Sequence, residues 1–359
     1  MDMKGVILHG GKGTRLRPLT HTGPKQLIPI ANKPMSQYAL EDLKEAGITE
    51  IAIVLGDITP EKVVEYYGDG SRFHVKITYI NQTEPKGIAH AVGLAREFVG
   101  DDPFVVYLGD NLLKDGIIDC VQSFKNSGAD AHIALCHVPN PEAFGIAELD
   151  TRGKITKLTE KPKTSSSDLA LVGVYMFRPT IFKAIEKLKP SGRGELEITD
   201  AIQGLLDMGL EVSSHIMSGW WKDTGKPEDI LEANQFVLSD MSPYNKGRFE
   251  GNVISNGRIA IEDESVIKSN CTLRGPLTIG RNCEIGPDSY IGPYTSIGDN
   301  VVIRGGEVEN SIILSDTIIE CRKKIIDSII GKACKIVSNE VGLPKGYRLI
   351  VGENTFLGI

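Results

Sequence analysis

The sequence predicts an α/β domain on a doubly wound sheet over residues 1–240, a joint at 241–250, and a parallel β-helix over 251–359. Three observations predict it. From residue 4 to about 240, short β-rich runs alternate with amphipathic helical segments. After 250 the period changes to six residues. A chain of 359 residues is too long for one ordinary core, and its 41% hydrophobic content can fill two.

Composition narrows the function. A net charge of −7 argues against a general nucleic-acid binder, so any nucleotide bound here should be small and held in a pocket. The chain runs straight into a strand without a signal-peptide segment and has no apolar run long enough to cross a bilayer, so a cytoplasmic location with no membrane partner is expected. The cysteines at 120, 136, 271, 283, 321 and 334 show neither Cys-x-x-Cys nor zinc-ligand spacing and read as reduced core thiols.

The first strand is Gly5-Val6-Ile7-Leu8, and a glycine-rich loop through Gly10, Gly11 and Gly13 follows it. Met35, Ala39, Leu40, Leu43 and Ala46 fall at helical spacing, with Ser36 available as a cap and Gly47 closing the segment. A strand at 51–55 follows, and Thr59-Pro60 opens a helix by the cap-then-proline rule. Next come a strand at 75–80, a helix at 87–98, and a buried strand at 104–108 ending in Gly109-Asp110-Asn111, the position at which doubly wound sheets hold ligands.

The second half of the domain reads as strands near 131–138, 145–149, 155–159 and 171–177 and helices near 180–188, 197–208 and 227–238. Strand following strand at 145–177 predicts a hairpin or ribbon folded over one end of the sheet. Beyond 250, positions 259, 265, 271, 277, 283, 289, 295 and 301, and the positions two residues after each, carry mostly aliphatic or small residues. Gly280, Gly286, Gly292 and Gly298 share one phase, as expected where the backbone turns a corner every sixth residue. Such a coil stacks its aliphatic residues inside. The isoleucine pairs from 312 to 330 continue it more loosely, interrupted by Arg322-Lys323-Lys324. A coil's flat flank and open end need covering, so a homo-oligomer is expected.

The glycine loop has the chemistry of a phosphate cradle. Three glycines allow backbone N–H groups to face an anion, while Lys12, Arg15 and Arg17 bring positive charge. Alone it could equally be a tight turn, because Leu16 stands where a dinucleotide fingerprint wants a third glycine and no Gly-Lys-Ser/Thr run completes a P-loop. Asp110, closing a buried strand, and Asp223, following Trp220-Trp221-Lys222, are acids where a cation is wanted; with phosphate oxygens they would make a Mg²⁺ site. A helix cap is the bland reading of Asp110.

The run LHGGKGTRLRPLTHTGPKQLIPIANKPM at 8–35, with Gln82, Gly87, GDN at 109–111, FGIAELD at 144–150, EKP at 160–162, GVYMF at 173–177, RGELEITDAI at 193–202 and WWKDTG at 220–225, resembles the glucose-1-phosphate thymidylyltransferases. The hexad tail makes it similar to their long form. The resemblance implies a Rossmann-like, GT-A-like mixed sheet and a left-handed β-helix. It implies that Leu8, Gly10, Gly11, Gly13, Thr14 and Arg15 wrap the nucleoside triphosphate, with Lys25 on its phosphates, Gln26 near the ribose, and Gln82 with Gly87 reading the pyrimidine. Asp110 and Asp223 would bind Mg²⁺, Lys161 and Arg193 would grip the sugar phosphate, and Asn111, Gly145, Glu160 and Val174 would line the hexose. The substrates implied are dTTP and glucose 1-phosphate.

Two residues depart from the short enzymes of the family: His9 replaces their alanine, and Phe144 stands where they often carry tyrosine; both read as tolerated packing. The short enzymes' helical C-terminal segment has no counterpart. Rival readings are a UTP-dependent or broad-specificity hexose-1-phosphate nucleotidyltransferase, a bifunctional enzyme with an acyltransferase coil, and a non-catalytic regulatory subunit. All seven histidines precede the repeat, which disfavours the acyltransferase, and Arg15, Asp110 and Asp223 are all present, which disfavours the non-catalytic subunit.

Overall fold

In the computed structural model, which describes residues 3–338 and 355–356, strands β1 (Lys4–His9), β2 (Glu50–Leu55), β3 (Lys76–Asn81) and β4 (Phe104–Leu108) run parallel in the order β4-β1-β2-β3. Strand β1 is apolar throughout its middle because it is covered on both faces. Val6 and Leu8 enter the core with helices α3 (Ile88–Leu94), α4 (Arg96–Val99), α6 (Ile181–Ile185) and α7 (Ile198–Asp207). Ile7 enters the other, with α1 (Met35–Glu45), α2 (Pro60–Tyr67) and α5 (Ile118–Ser127). The period of two along a single strand thus feeds two helix layers.

The sheet becomes mixed beyond β4. Strand β8 (Leu169–Phe177) pairs antiparallel with β4 and with β5 (Ala131–His137), and β9 (Val212–Ile216) adds parallel to β5. The hairpin expected from 145 onward forms as β6 (Gly145–Leu149) and β7 (Ile155–Glu160), and it continues the sheet from β8 at the pair Ala170 and Ile146. Gly173 lies where β8 shifts register, and a Cβ there would come within 2.7 Å of Leu108 and 2.9 Å of Asn111.

Several local expectations are corrected. Ser36 lies inside α1 with its side chain buried, bonded to Gln26 O at 3.2 Å and the Tyr67 hydroxyl at 2.6 Å, so it ties the helix to the site loop and does not cap it. Pro60 opens α2, but Thr59 adopts φ 39° and makes no capping bond. The helix expected over 87–98 divides at Ala95, whose ψ of −1° leaves the helical path. Helix α5 and strand β9 are not among the elements expected from the sequence, although Ile117, Cys120, Val121 and Phe124 fall at helical spacing and are all buried.

Among the described residues the coil is three parallel ladders of six, six and five strands, the architecture of the left-handed hexapeptide-repeat β-helix. Ile261, Ile267, Leu273, Ile279, Ile285, Ile291, Ile297 and Ile303 are all fully buried in it. It starts before the expected joint ends, since Tyr244–Asn245 and Arg248–Phe249 already pair with Ile259–Ile261 and Val266–Ile267.

The corner chemistry differs from expectation. The left-handed positions carry mainly Asn and Asp, with φ 60° at Asn270, 52° at Asn282, 55° at Asp288, 58° at Asn300 and 64° at Asp316. Their side chains also bond between turns: Asn282 donates to Asn300 at 3.0 Å and Asn300 to Asp316 at 2.9 Å. Of the four phased glycines only Gly286 has positive φ. Gly280, Gly292 and Gly298 are required by closeness, because a Cβ on any of them would meet the next turn within 2.4–2.7 Å. Arg322-Lys323-Lys324 does not interrupt the coil. It turns the corner into Lys324–Ile326, which pairs in register with Gly306–Glu309.

By contacts the chain divides into one unit of Met1–Gly13, Thr22–Leu27 and Met35–Asp223 and another of Thr14–His21, Ile28–Pro34 and Thr224 onward. Helix α8 (Pro227–Asp240) groups with the coil, because Asn234 and Gln235 bond to its turns at Tyr294, Ser296 and Asn310. Among the described residues no helix is long and apolar enough to cross a membrane, and all six cysteines are free thiols.

The ladder predicts that Ile285→Ala, which empties a fully buried rung, destabilises the coil by about 2–5 kcal/mol in denaturant titration.

Candidate active site

The parallel strands end together. His9 stands beside Leu55, and Leu8 beside Leu108. At this carboxyl edge Gly109 N donates to Leu8 O at 3.0 Å and Gln82 N to Leu55 O at 2.9 Å. Leu8 itself is buried, so what it offers at this edge is backbone. Crowding selects glycine here: a Cβ on Gly109 would lie 3.0 Å from Leu8 O. The loop that leaves β1 uses φ 98° at Gly11 and 56° at Gly13.

Asp110 closes this edge and is directly hydrogen-bonded to the Lys25 ammonium, both side chains being less than 15% exposed. Burial pushes the Asp110 carboxyl up, but the Lys25 charge and hydrogen bond, with a 3.1 Å bond from Asn111, hold it below its ordinary value. Removing either partner of such a buried pair typically costs about 3–5 kcal/mol. Gln26, next to Lys25, donates to Gly10 O at 2.8 Å and so fastens the glycine loop. Its Oε1 is buried without a hydrogen-bond partner among the described residues.

Gln82 and Gly87 lie together, the amide of Gln82 being 3.5 Å from Gly87 O and 3.0 Å from His90 Nδ1. Gly87 can be nothing else, since it has φ 105° and a Cβ would fall 2.5 Å from Leu196 O. Asp223 is delivered by a two-stranded ribbon, Trp221–Asp223 against Asn111–Leu113, in which it stands opposite Asn111. The Trp221 indole donates to Asn111 Oδ1 at 2.7 Å and its ring meets Phe144 edge-on at 5.2 Å. Trp220 and Trp221 are both half-buried, and Trp221 packs against the core.

A second cluster forms where β7 meets the start of α7. Arg193 is gripped by Glu197 through Nε at 3.2 Å and Nη2 at 2.8 Å, and also reaches Glu160 at 3.1 Å. Ser191 donates to Glu197 at 2.7 Å, so the buried Glu197 carboxylate is held on two sides. Glu160 accepts from Thr199 at 3.2 Å and lies 3.8 Å from Lys161 Nζ. Burial and the neighbouring Glu197 raise the Glu160 pKa against the pull of Lys161 and Arg193. Lys161 adopts φ 41°, uncommon for a lysine, with its N–H on Phe144 O at 3.0 Å. Gly145 leaves room for these groups, because a Cβ there would strike Thr199 at 2.5 Å. The cleft is about 350 Å³ and includes Glu160, Lys161, Ser191, Arg193 and Glu197 in its lining.

The two clusters are linked through Asn111, Trp221, Phe144 and Lys161, and Tyr175 of β8 is buried within electrostatic reach of both. Its phenol is raised first by burial and then by the negative charges of Glu160, Asp110 and Asp223, so all three carboxylates lie within electrostatic reach of one buried side chain. Val174 is fully buried with its side chain in the α1-α2-α5 core and presents none of it to the cleft. Thr14 and Arg15 belong to the other unit, in a 3-10 turn over Thr14–Leu16, where the Arg15 guanidinium lies 3.3–3.5 Å from the place a Cβ on Gly225 would occupy. Lys12 is exposed. Glu197, Ser191, Thr199 and His90 join these clusters without having been singled out among the candidate residues; Glu197, four residues beyond Arg193, carried a visible signal.

Asp110 and Asp223 are hard oxygen donors, which suits a divalent cation that keeps water or phosphate among its ligands. Among the described residues no group of three His, Cys, Asp or Glu side chains gathers to hold a metal. A larger hollow of about 770 Å³ lies on the coil beside Arg304, but that arginine is already bound by Glu284 and Glu320.

His9 is fully buried at the head of the loop, and neither ring nitrogen has a hydrogen-bond partner among the described residues. Burial lowers its pKa from 6.5 to about 3, against the opposing effect of Asp110. The unfolded chain therefore binds a proton here that the folded chain refuses, and stability falls as pH drops through that window. We expect this residue to contribute a slope of up to about 1.4 kcal/mol per pH unit, and His9→Leu to flatten unfolding curves measured between pH 6 and pH 4.

Comparison with known proteins gives consistent results. A family model described as Nucleotidyl transferase matches residues 4–240, and one described as the GMPPB C-terminal domain matches residues 273–341. The low-salt glycan biosynthesis nucleotidyltransferase Agl11 of Haloferax volcanii is 52% identical over 99% of both chains. A glucose-1-phosphate thymidylyltransferase of Streptomyces antibioticus is 45% identical over 98% of both. A Bacillus anthracis chain assigned to the same enzyme, solved in complex with a sucrose, superposes with a TM-score of 0.63 at 41% identity, covering 68% of this chain and 98% of its own.

Proposed function

The chain belongs to the nucleotidyl transferase family, and on that premise we propose that it transfers the thymidylyl group of dTTP to α-D-glucose 1-phosphate, forming dTDP-glucose and pyrophosphate. The observation that carries this reading is the pairing, through the contacts Asn111–Trp221, Trp221–Phe144 and Phe144–Lys161, of a glycine-loop cluster containing Lys25, Asp110 and Asp223 with a cleft containing Lys161, Arg193 and Glu160. One has the chemistry of a triphosphate site and the other that of a sugar-phosphate site. The thymidylyltransferase relatives support the choice of base and sugar.

An oxygen of the sugar phosphate attacks the α-phosphorus of dTTP in line. The new P–O bond forms as the bond to the β-phosphate oxygen breaks, and pyrophosphate departs with the electron pair. The nucleophile is already an anion, so no general base is required. The difficulty is to bring two anions together, and the residues suit that task. Arg193, held in a fixed orientation by the bidentate Glu197 contact, would bind the acceptor phosphate together with Lys161. Glu160 and Thr199 would take hydrogen bonds from the hexose hydroxyls. Lys25 and Arg15 would neutralise the triphosphate, backbone N–H groups of Gly10, Gly11 and Gly13 would wrap it, and Gln82 with Gly87 would meet the pyrimidine edge. Gln26 Oε1, buried and lacking a partner, would take the ribose contact. Asp110 and Asp223 would hold a Mg²⁺, which when bound neutralises developing charge on the triphosphate oxygens. The proposal includes a cytoplasmic site of action, where the nucleotide triphosphate is available, and a homo-oligomer joined through the coil.

Two measurements test it. Arg15→Ala and Asp223→Asn are each expected to lose about 3–4 kcal/mol of transition-state stabilisation, a fall in turnover of two to three orders of magnitude in a pyrophosphate-release assay, with circular dichroism unchanged; near-normal turnover of both variants overturns the mechanism. A panel of dTTP, UTP, ATP, GTP and CTP against glucose-, mannose-, galactose- and N-acetylglucosamine-1-phosphate should favour dTTP with glucose 1-phosphate. Since a single methyl is worth only about 1–3 kcal/mol in a pocket, a UTP preference would keep the reaction and replace the base.

A further inference from the structure

The segments Thr14–His21 and Ile28–Pro34 gather with the coil and α8, although they lie in sequence between pieces of the sheet unit. The side chain responsible at 28–34 is Asn234 of α8, fully buried and bonded through both its amide oxygen and its amide nitrogen. Its Oδ1 accepts from Ala31 N at 2.9 Å and from the Ser296 hydroxyl at 2.6 Å, and its Nδ2 donates to Tyr294 O at 2.9 Å. One amide therefore fastens the hairpin Pro29–Pro34, helix α8 and a turn of the coil. Asn32 adds a second fastening, donating to Ile297 O at 2.7 Å. Both hairpin residues hold left-handed backbone, φ 47° at Ala31 and 65° at Asn32, and for alanine that conformation needs an outside partner to persist. At the other segment Leu19 lies 3.7 Å from the place a Cβ on Gly331 would occupy, and Arg15 lies against Gly225.

We propose that the coil is a positioning element for nucleotidyl transfer, and that Asn234 is its positioning residue: by clamping 28–34 it fixes one end of the stretch that carries Arg15, Lys25 and Gln26. Thr22–Leu27, which holds Lys25 and Gln26, is covalently continuous with clamped segments on both sides. On this view the coil anchors the loop that must meet the triphosphate, beyond any part it has in assembly. A buried amide suits the task, since its donor and acceptors must all be met in one geometry and a slipped loop would leave buried groups unpaired. The inference rests on the reading of Arg15 and Lys25 as triphosphate ligands.

The test uses the full chain. Asn234→Ala is expected to lower kcat at least tenfold while changing the KM for glucose 1-phosphate less than threefold, because the Arg193 and Glu160 contacts are untouched. Asn32→Ala should do the same more weakly, and serves if Asn234→Ala does not fold. Amide exchange should quicken in peptides spanning 14–34 and stay unchanged in β1 and β4. In an Arg15→Lys background, Asn234→Ala should add less than a threefold further loss, since both changes act through one loop; a full multiplication of the two losses overturns the proposal. A folded Asn234→Ala variant within twofold of the parent kcat overturns the positioning role alone. An Arg15→Lys variant as active as the parent overturns the assignment of Arg15 on which the proposal rests.

Discussion

Asp110 is a carboxylate at the end of a strand whose first four residues are fully buried, and it remains ionised there because Lys25 is brought against it. Much of the surrounding structure follows from that requirement. Lys25 lies on the stretch after the glycine loop, so neutralising Asp110 also fixes where the loop returns. Gln26, one residue on, then reaches Gly10 O, and Ser36 at the start of α1 reaches Gln26 O. Charge compensation and loop shape are set by the same three neighbouring segments. Gly109 belongs to the arrangement as well, because any side chain there would strike the end of β1.

The sugar-phosphate cleft solves the converse problem. Here the cation comes first: Arg193 is surrounded by Glu160, Glu195 and Glu197, of which Glu197 is buried and itself held by Ser191. A guanidinium braced by a bidentate carboxylate loses little further freedom when an anion arrives. Glu160 has a double allegiance, to Arg193 on one side and Thr199 on the other, and burial keeps its pKa raised. Tyr175 is buried, and the negative charges of Glu160, Asp110 and Asp223 add to burial in keeping its phenol neutral.

The coil obeys a separate constraint, that each turn must stack on the next with little clearance. This constraint explains why its glycines and its left-handed residues are different sets. Glycine marks places where the neighbouring turn leaves no room for a Cβ, and asparagine or aspartate marks the corners, where a short polar side chain tolerates positive φ and bonds to its equivalent one turn away. The spacing tightens along the coil: Ile261, Ile279 and Ile297 pair across turns, but the next partner after Ile297 is Ile313. A strict hexad search therefore fades beyond residue 303 although the ladder continues.

By itself the sequence determined the features that depend on local pattern. The doubly wound domain is legible because β1, β2 and β4 are continuous apolar runs between amphipathic segments, and the coil because a period of six survives in the residues it buries. The site was legible through the resemblance of motifs such as the glycine loop, GDN and WWKDTG, and chiefly for residues whose neighbours in sequence are distinctive. Tertiary structure alone decided what depends on partners distant in the chain. It turned Ser36 from a cap into a tie to Gln26, withdrew the side chain of Val174 into the core, gave Arg193 its brace in Glu197, and gathered Ile28–Pro34 with the coil through Asn234. Periodicity reports which face of an element is buried; it carries no record of which distant hydrogen-bonding group will meet a given side chain, and those meetings set the geometry on which the chemistry depends.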